Sequence, residues 1–169
     1  MVKLVRRGLF ILGLAFLIFP PVSRMFYKER YDRPQIAYIS IPKINLYLPV
    51  YEGVKEEVLQ HGIGYMKESS YPGAGKNSHC LLAGHRGLPN ATLFERLDEI
   101  EIGDLFYLEM ESKGCIYQYQ VCEIHVIEPD DTECLKVHKQ RELVSLITCT
   151  PYGINTHRLV VTGERMDER

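Results

Sequence analysis

From residue 36 onward the chain is cut into short apolar or alternating runs, and Pro, Gly, Asn or charged residues interrupt each of them within a few positions. This punctuation constrains the fold more than any other feature, because strands tolerate such spacing and long helices do not. Residues 36–41 and 46–51 are apolar or alternating and flank Pro42-Lys43-Ile44-Asn45. Residues 79–84 (HCLLAG) and 143–148 are almost wholly apolar, as in strands buried on both faces. Residues 105–109 follow the turn Glu101-Ile102-Gly103-Asp104, residues 115–128 alternate over a long stretch, and residues 158–163 form the last run. Two segments have helical character. Residues 54–60 place Val54, Val58 and Leu59 at helical spacing, and residues 92–97 read as a short helix capped by Thr92 or Asn90. About eight strands with few helices in roughly 130 residues predict an all-β domain, a closed barrel or a sandwich. Closure removes exposed strand edges and leaves the strand ends to carry chemistry.

The N-terminus is of another kind. Lys3, Arg6 and Arg7 precede a stretch, residues 8–22, with no charged side chain. Val2, Leu4 and Val5 lengthen the apolar run, and the basic side chains can snorkel, so the ~20 residues of a membrane helix are within reach. The run ends in Phe19-Pro20-Pro21-Val22-Ser23, without the small-residue pattern of a cleavage site, which favours an uncleaved anchor over a removed signal peptide. The expected organisation is a basic leader and membrane anchor over 1–23, a linker over 24–35, and a globular domain over 36–169 outside the cell, held at the membrane by a single pass. The formal charge of −2 argues against a nucleic-acid binder that works through a basic surface.

The five cysteines are Cys80, Cys115, Cys122, Cys134 and Cys149. No CxxC pair occurs, so neither a zinc ribbon nor a thioredoxin-like motif is indicated. Cys80 falls inside an apolar run and reads as core. Cys115 and Cys122 share one long strand, too far apart to bridge unless the chain turns between them. The histidines show no HxxxH or HxH pair, so no metal ligand set is assigned. Asp130, Asp131 and Glu133 read as a solvated acidic loop rather than a calcium site.

Three segments carry chemistry. In Leu82-Ala83-Gly84-His85-Arg86-Gly87-Leu88-Pro89 an apolar strand runs straight into a His between glycines. In Leu146-Ile147-Thr148-Cys149-Thr150-Pro151-Tyr152-Gly153 an apolar strand ends at a Cys. In Asn155-Thr156-His157-Arg158-Leu159 an Arg opens the last strand, which pairs with the Cys149 strand through the loop 150–157. Taken singly, each has a plainer reading: a His in a turn, a buried structural Cys, a surface Arg in a weak ion pair.

Together these segments resemble the sortase family of cysteine transpeptidases. Ala83-Gly84-His85 matches the family's TGH-like strand end. Leu146-Ile147-Thr148-Cys149 matches its TLxTC strand end, with Ser145 at the position of the first Thr, and His157-Arg158-Leu159 matches its strand-opening Arg. More narrowly, Gly84-His85-Arg86-Gly87-Leu88-Pro89, the run from Thr148 through Arg158, and Leu48-Pro49-Val50-Tyr51-Glu52-Gly53 are similar to the class C, pilin-polymerising sortases. The Asp-Pro-aromatic lid motif of that class has no match; Asp32-Arg33-Pro34 comes nearest. The chain closes on Glu164-Arg165-Met166-Asp167-Glu168-Arg169, charged at five of six positions, and a single-pass anchor at the N-terminus is expected.

The resemblance implies an eight-stranded sortase-type β-barrel. It implies cleavage of an LPxTG-like sorting signal and transfer of its acyl group to an amine, either a pilin Lys or a cell-wall peptide, with no cofactor. Cys149 is then the nucleophile, His85 the acid/base and Arg158 the clamp on an oxyanion or substrate carbonyl. Whether His85 and Cys149 rest as imidazolium and thiolate, or exchange the proton only during attack, is left open. Thr148 is a supporting hydroxyl or a plain strand residue. Thr150 and Tyr152 shape the loop beside the site, and His157 points away from it. The alternatives are a housekeeping sortase with the same residues and, in another class, an inactive membrane-anchored β-barrel binding module.

Overall fold

The alternation of residues 36–41 becomes a strand whose odd-numbered residues enter the core. A computed structural model describes residues 31, 33–87 and 93–166. It contains β1 (Ala37–Ile41), β2 (Leu46–Glu52), α1 (Glu56–Leu59), β3 (Ile63–Tyr65), β4 (Ser78–Ala83), β5 (Leu105–Met110), β6 (Cys115–Ile127), β7 (Glu142–Thr150) and β8 (His157–Arg165). The strands close into an eight-membered barrel in the order β1-β2-β3-β4-β7-β8-β6-β5. The β2–β3 and β4–β7 pairs are parallel and the other six antiparallel. A parallel pair needs a crossover. The one between β2 and β3 carries α1.

Ala37, Ile39, Leu48, Val50, Phe106, Leu108, Tyr119 and Val161 fill the interior, where the Phe106 and Tyr119 rings stack at 5.3 Å. On β4 and β7 it is the even-numbered residues, Cys80, Leu82, Val144 and Leu146, that join this core. Their odd-numbered neighbours face outward, and several are buried as well. The two apolar runs of the sequence are therefore strands covered on both faces.

Two sequence expectations change. The strand Ile63–Tyr65 was not expected, because three residues containing a Gly show no alternation. The expected helix over 92–97 does not form over its described part: residues 93–96 are bends and turns, and a 3-10 turn begins only at Leu97. Leu93, Phe94 and Leu97 all enter the core from these bends and turns. The proposed caps Asn90 and Thr92, the anchor over 1–23 and all of the linker up to residue 30 lie outside the described residues. Among the described residues no helix is long and apolar enough to cross a membrane.

Candidate active site

Strand direction assembles the site. β4 and β7 run parallel, so their carboxyl ends lie at the same end of the barrel. Their last register pair is Ala83↔Ile147, and the Gly84 N–H extends the ladder to the Ile147 carbonyl at 3.0 Å. Two residues beyond that pair stand His85 and Cys149, which strand alternation sends to the same outer face. β8 runs antiparallel to β7 and sets Arg158 directly opposite Cys149. The three residues expected from sequence thus meet at one barrel end, on one face.

His85 is held on both sides. Thr148, pointing to the opposite face of β7, is buried and donates its hydroxyl to the Gly84 carbonyl at 2.8 Å. The Phe94 N–H donates to the His85 carbonyl at 3.0 Å. Gly84 permits this packing: a Cβ there would stand 2.6 Å from the Phe94 ring and 2.7 Å from Ile63. The His85 side chain is 27% exposed, and its Nε2 lies 3.0 Å from Glu56 Oε2 on α1. The other Glu56 oxygen accepts from Gln60 Nε2 at 3.1 Å. The Gln60 amide and then His85 hold the Glu56 carboxyl below the ordinary glutamate range.

Arg158 folds over its own turn, where Nη1 donates to the carbonyls of His157 at 3.0 Å and Asn155 at 3.3 Å. Thr150 pairs with His157, and between them the loop 151–156 is closed by the Ile154 and Asn155 N–H groups on the Pro151 carbonyl. His157 turns away from the site, to Thr156 and to Glu128 at 3.2 Å. Tyr152 reaches back across the site. Glu95 beside its hydroxyl raises the Tyr152 pKa, its ring lies 5.7 Å from the Arg86 guanidinium, and it would stand 3.4 Å from a Cβ on Gly87. Glu95 also accepts from the Gly87 N–H at 2.8 Å, and Arg86 pairs with Asp98 at 2.7 Å. Tyr152 therefore buckles the loop after Cys149 onto the loop after His85.

Further along the same outer face, away from Cys149, lies a second polar group. His79 Nδ1 donates to the Lys136 carbonyl at 2.8 Å, which leaves Nε2 to accept from Ser145 Oγ at 2.7 Å. Ser145 Oγ lies 2.6 Å from Thr162 Oγ1. All three side chains are buried, and burial pushes the His79 imidazole below its usual range. Between this cluster and Cys149 the face is apolar: Leu81, Ala83, Ile147 and Val160.

Cys149 is partly exposed, whereas Cys80 is buried, and burial pushes up the thiols of Cys80, Cys122 and Cys134. Cys115 and Cys122 both sit on β6 as free thiols. In the acidic loop, Asp131 accepts from the Glu133 N–H and Glu133 pairs with Lys136, so these groups are satisfied locally. Sequence reasoning missed Glu56, Glu95 and the role of His79. Glu56 lies 29 residues from His85, and only the β2–β3 crossover brings them together.

The family model for the sortase domain matches residues 39–166. Sortase D of Bacillus subtilis is 32% identical over 131 residues, which cover 76% of this chain and 62% of that protein. The chain thus spans less than two thirds of that relative's length. The solved complex of Streptococcus agalactiae sortase C1 and MTSET is 46% identical with a TM-score of 0.76, covering 79% of this chain and 68% of that one. Streptococcus pneumoniae sortase C, whose structure is described as giving insights into catalysis and pilin substrate specificity, is 41% identical with a TM-score of 0.76, covering 79% and 70%.

Proposed function

Because the chain belongs to the sortase family, we propose that it is a cysteine transpeptidase that cleaves an LPxTG-like sorting signal and passes the acyl group to an amine. The observation that carries this reading is the convergence of His85, Cys149 and Arg158 on one outer face at one barrel end. The apolar floor of Leu81, Ala83, Ile147 and Val160 supports it, since an extended peptide with apolar side chains could lie there with its scissile carbonyl at Cys149.

In this reading the Cys149 sulfur, its thiol proton passed to His85, bonds the scissile carbonyl carbon. The C–N bond then breaks, and His85 gives its proton to the departing amine. An incoming amine attacks the thioester and loses its proton to His85, and the Cys149 sulfur leaves. One amide replaces another, with no water consumed and no redox change. Arg158 has one guanidinium nitrogen on its own turn, and the rest of its fork can donate to the oxyanion or to substrate carbonyls. Thr148 holds the Gly84–His85 peptide, and Thr150 and Tyr152 shape the adjoining loop.

The acceptor amine we propose is a pilin Lys. Support comes from the 46% identity to sortase C1 of Streptococcus agalactiae and from the His85-Arg86-Gly87-Leu88-Pro89 and Thr148-to-Arg158 segments. The basic leader and uncharged run at the N-terminus support a single-pass anchor with the barrel outside the cell. The test incubates the full chain with an LPxTG-type peptide and two acceptors, a pilin-Lys peptide and a wall-peptide amine, and resolves the products by mass spectrometry. Transpeptidation that prefers the pilin Lys and disappears in Cys149→Ala is expected. Preference for the wall amine would make the chain an anchoring enzyme, and full cleavage by Cys149→Ala would end the proposal.

A further inference from the structure

A histidine that serves a thiol must present one nitrogen to it, and something must decide which. In this chain Nε2 of His85 is taken: it lies 3.0 Å from a Glu56 carboxylate oxygen, an acceptor, so Nε2 carries a hydrogen and donates. The carboxylate is not a casual surface contact, for its second oxygen is fixed by Gln60 at 3.1 Å, one helical turn on. α1 is four residues long and sits in the crossover that joins the parallel strands β2 and β3, beside the end of β4 that leads to His85. Its Val58 is fully buried, which anchors the turn that carries Glu56.

From this geometry we infer that Glu56 is the positioning residue for His85: it holds Nε2–H, leaves Nδ1 to exchange the proton with Cys149, and stabilises the imidazolium. The inference rests on the roles proposed above for His85 and Cys149. Among the described residues, the charged and titratable groups that contact or register place beside His85 are Glu56 from α1, Cys149 from β7 and Arg158 from β8. Arg86 and Glu95 are engaged elsewhere, Arg86 by Asp98 and Glu95 by the Gly87 N–H. Glu56 is therefore the carboxylate that contacts the ring directly. It is 63% exposed, so its removal spares the core. Its influence is that of a surface carboxylate acting through one hydrogen bond, weaker than the buried carboxylate of a serine-protease triad.

The experiment measures kcat, KM and the pH profile of kcat/KM for the full chain with a sorting peptide and an amine, in Glu56→Gln, Glu56→Asp, Glu56→Ala and His85→Ala. It also follows the Nε2 nitrogen resonance of His85, which needs no turnover. Glu56→Ala is expected to lower kcat about tenfold, a fraction of what a general acid–base group supplies, with KM within about twofold of the unaltered chain. Loss of the carboxylate is expected to change the pH profile of kcat/KM in both Gln and Ala variants. Gln, which still accepts from Nε2–H, keeps more of kcat than Ala, and Asp recovers part of both effects. The Nε2 resonance shifts in Glu56→Ala. If His85→Ala is inactive while Glu56→Ala matches the unaltered chain in kcat, pH profile and resonance, the role of Glu56 is overturned and the assignment of His85 stands. If His85→Ala keeps full activity, that assignment itself fails.

Discussion

Along the outer face of β4, β7 and β8, two clusters that each set a histidine beside a hydroxyl or thiol meet opposite fates. At one end His79, Ser145 and Thr162 form a hydrogen-bonded chain with no exposure above 1%. At the other, His85, Cys149 and Arg158 stand at the strand ends with part of their surface open. The His79–Ser145 distance of 2.7 Å would suit a base and its nucleophile, yet the Lys136 carbonyl of the β6–β7 loop covers the imidazole and takes its N–H. The two ends differ in access and in what occupies a ring nitrogen, a backbone carbonyl for His79 and a carboxylate for His85. The buried chain joins β4, β7 and β8 to the loop and fixes the floor on which the open end stands.

The contrast is broken most directly by exchanging the two histidines' fates. His85→Ala is expected to lower kcat/KM by about 10²–10⁴-fold while leaving the melting temperature near that of the unaltered chain. His79→Ala is expected to do the reverse. It strands Ser145 and the Lys136 carbonyl and leaves a cavity, costing about 2–4 kcal/mol in denaturant unfolding, with turnover per folded molecule retained. Turnover lost in His79→Ala at unchanged stability would place chemistry at the wrong end.

The titration of His79 sharpens the same contrast. Burial first, and then the neighbouring His138, lowers its pKa in the folded state, against the opposing Lys136 carbonyl. The unfolded chain therefore takes a proton near the ordinary imidazole value of about 6.5 before the folded one does. Its contribution to stability is full above that pH and is lost as pH falls through the depressed folded value. Unfolding free energy followed from pH 8 to pH 5 should show this fall, and His79→Gln should flatten it.

Two smaller effects probe the open end. Thr148→Val removes the hydroxyl from the Gly84 carbonyl and is expected to cost about 1–2 kcal/mol, with kcat reduced because the peptide leading to His85 is released. Tyr152→Phe removes the hydroxyl beside Glu95 but keeps the ring over Gly87 and Arg86, so a change of about twofold in kcat/KM is expected. A larger loss in Tyr152→Phe than in Thr148→Val would mean that the buckle, not the buried hydroxyl, sets His85.

Much of this contrast was legible in the sequence at the level of strands and endpoints. The apolar runs 79–84 and 143–148 announced two covered strands, and a His, a Cys and an Arg at strand ends announced the open cluster. What sequence could not show depends on register. His79 is one more residue of an apolar run until β4 lies against β7 and Leu81 meets Ser145. Glu56 and Glu57 look equivalent in sequence, yet Glu56 reaches His85 while Glu57 pairs with Arg33. The short strand Ile63–Tyr65 is set by its neighbours on both sides, Val50 and Tyr51 on β2 and Leu82 and Ala83 on β4, rather than by its own residues. Over residues 93–96 bends and turns stand where the sequence pattern reads as a helix, and Leu93, Phe94 and Leu97 reach the core from them.

The central claim is that chemistry belongs to Cys149 alone among five thiols. Intact-protein mass spectrometry of the chain incubated with a sorting-signal peptide and no acceptor amine, followed by peptide mapping of the trapped thioester, tests it directly. One acyl adduct per chain, mapped to the peptide containing Cys149 and absent from His85→Ala at the same time point, is the predicted result. An adduct on Cys80, Cys115, Cys122 or Cys134, or an undiminished adduct in Cys149→Ala, would contradict it.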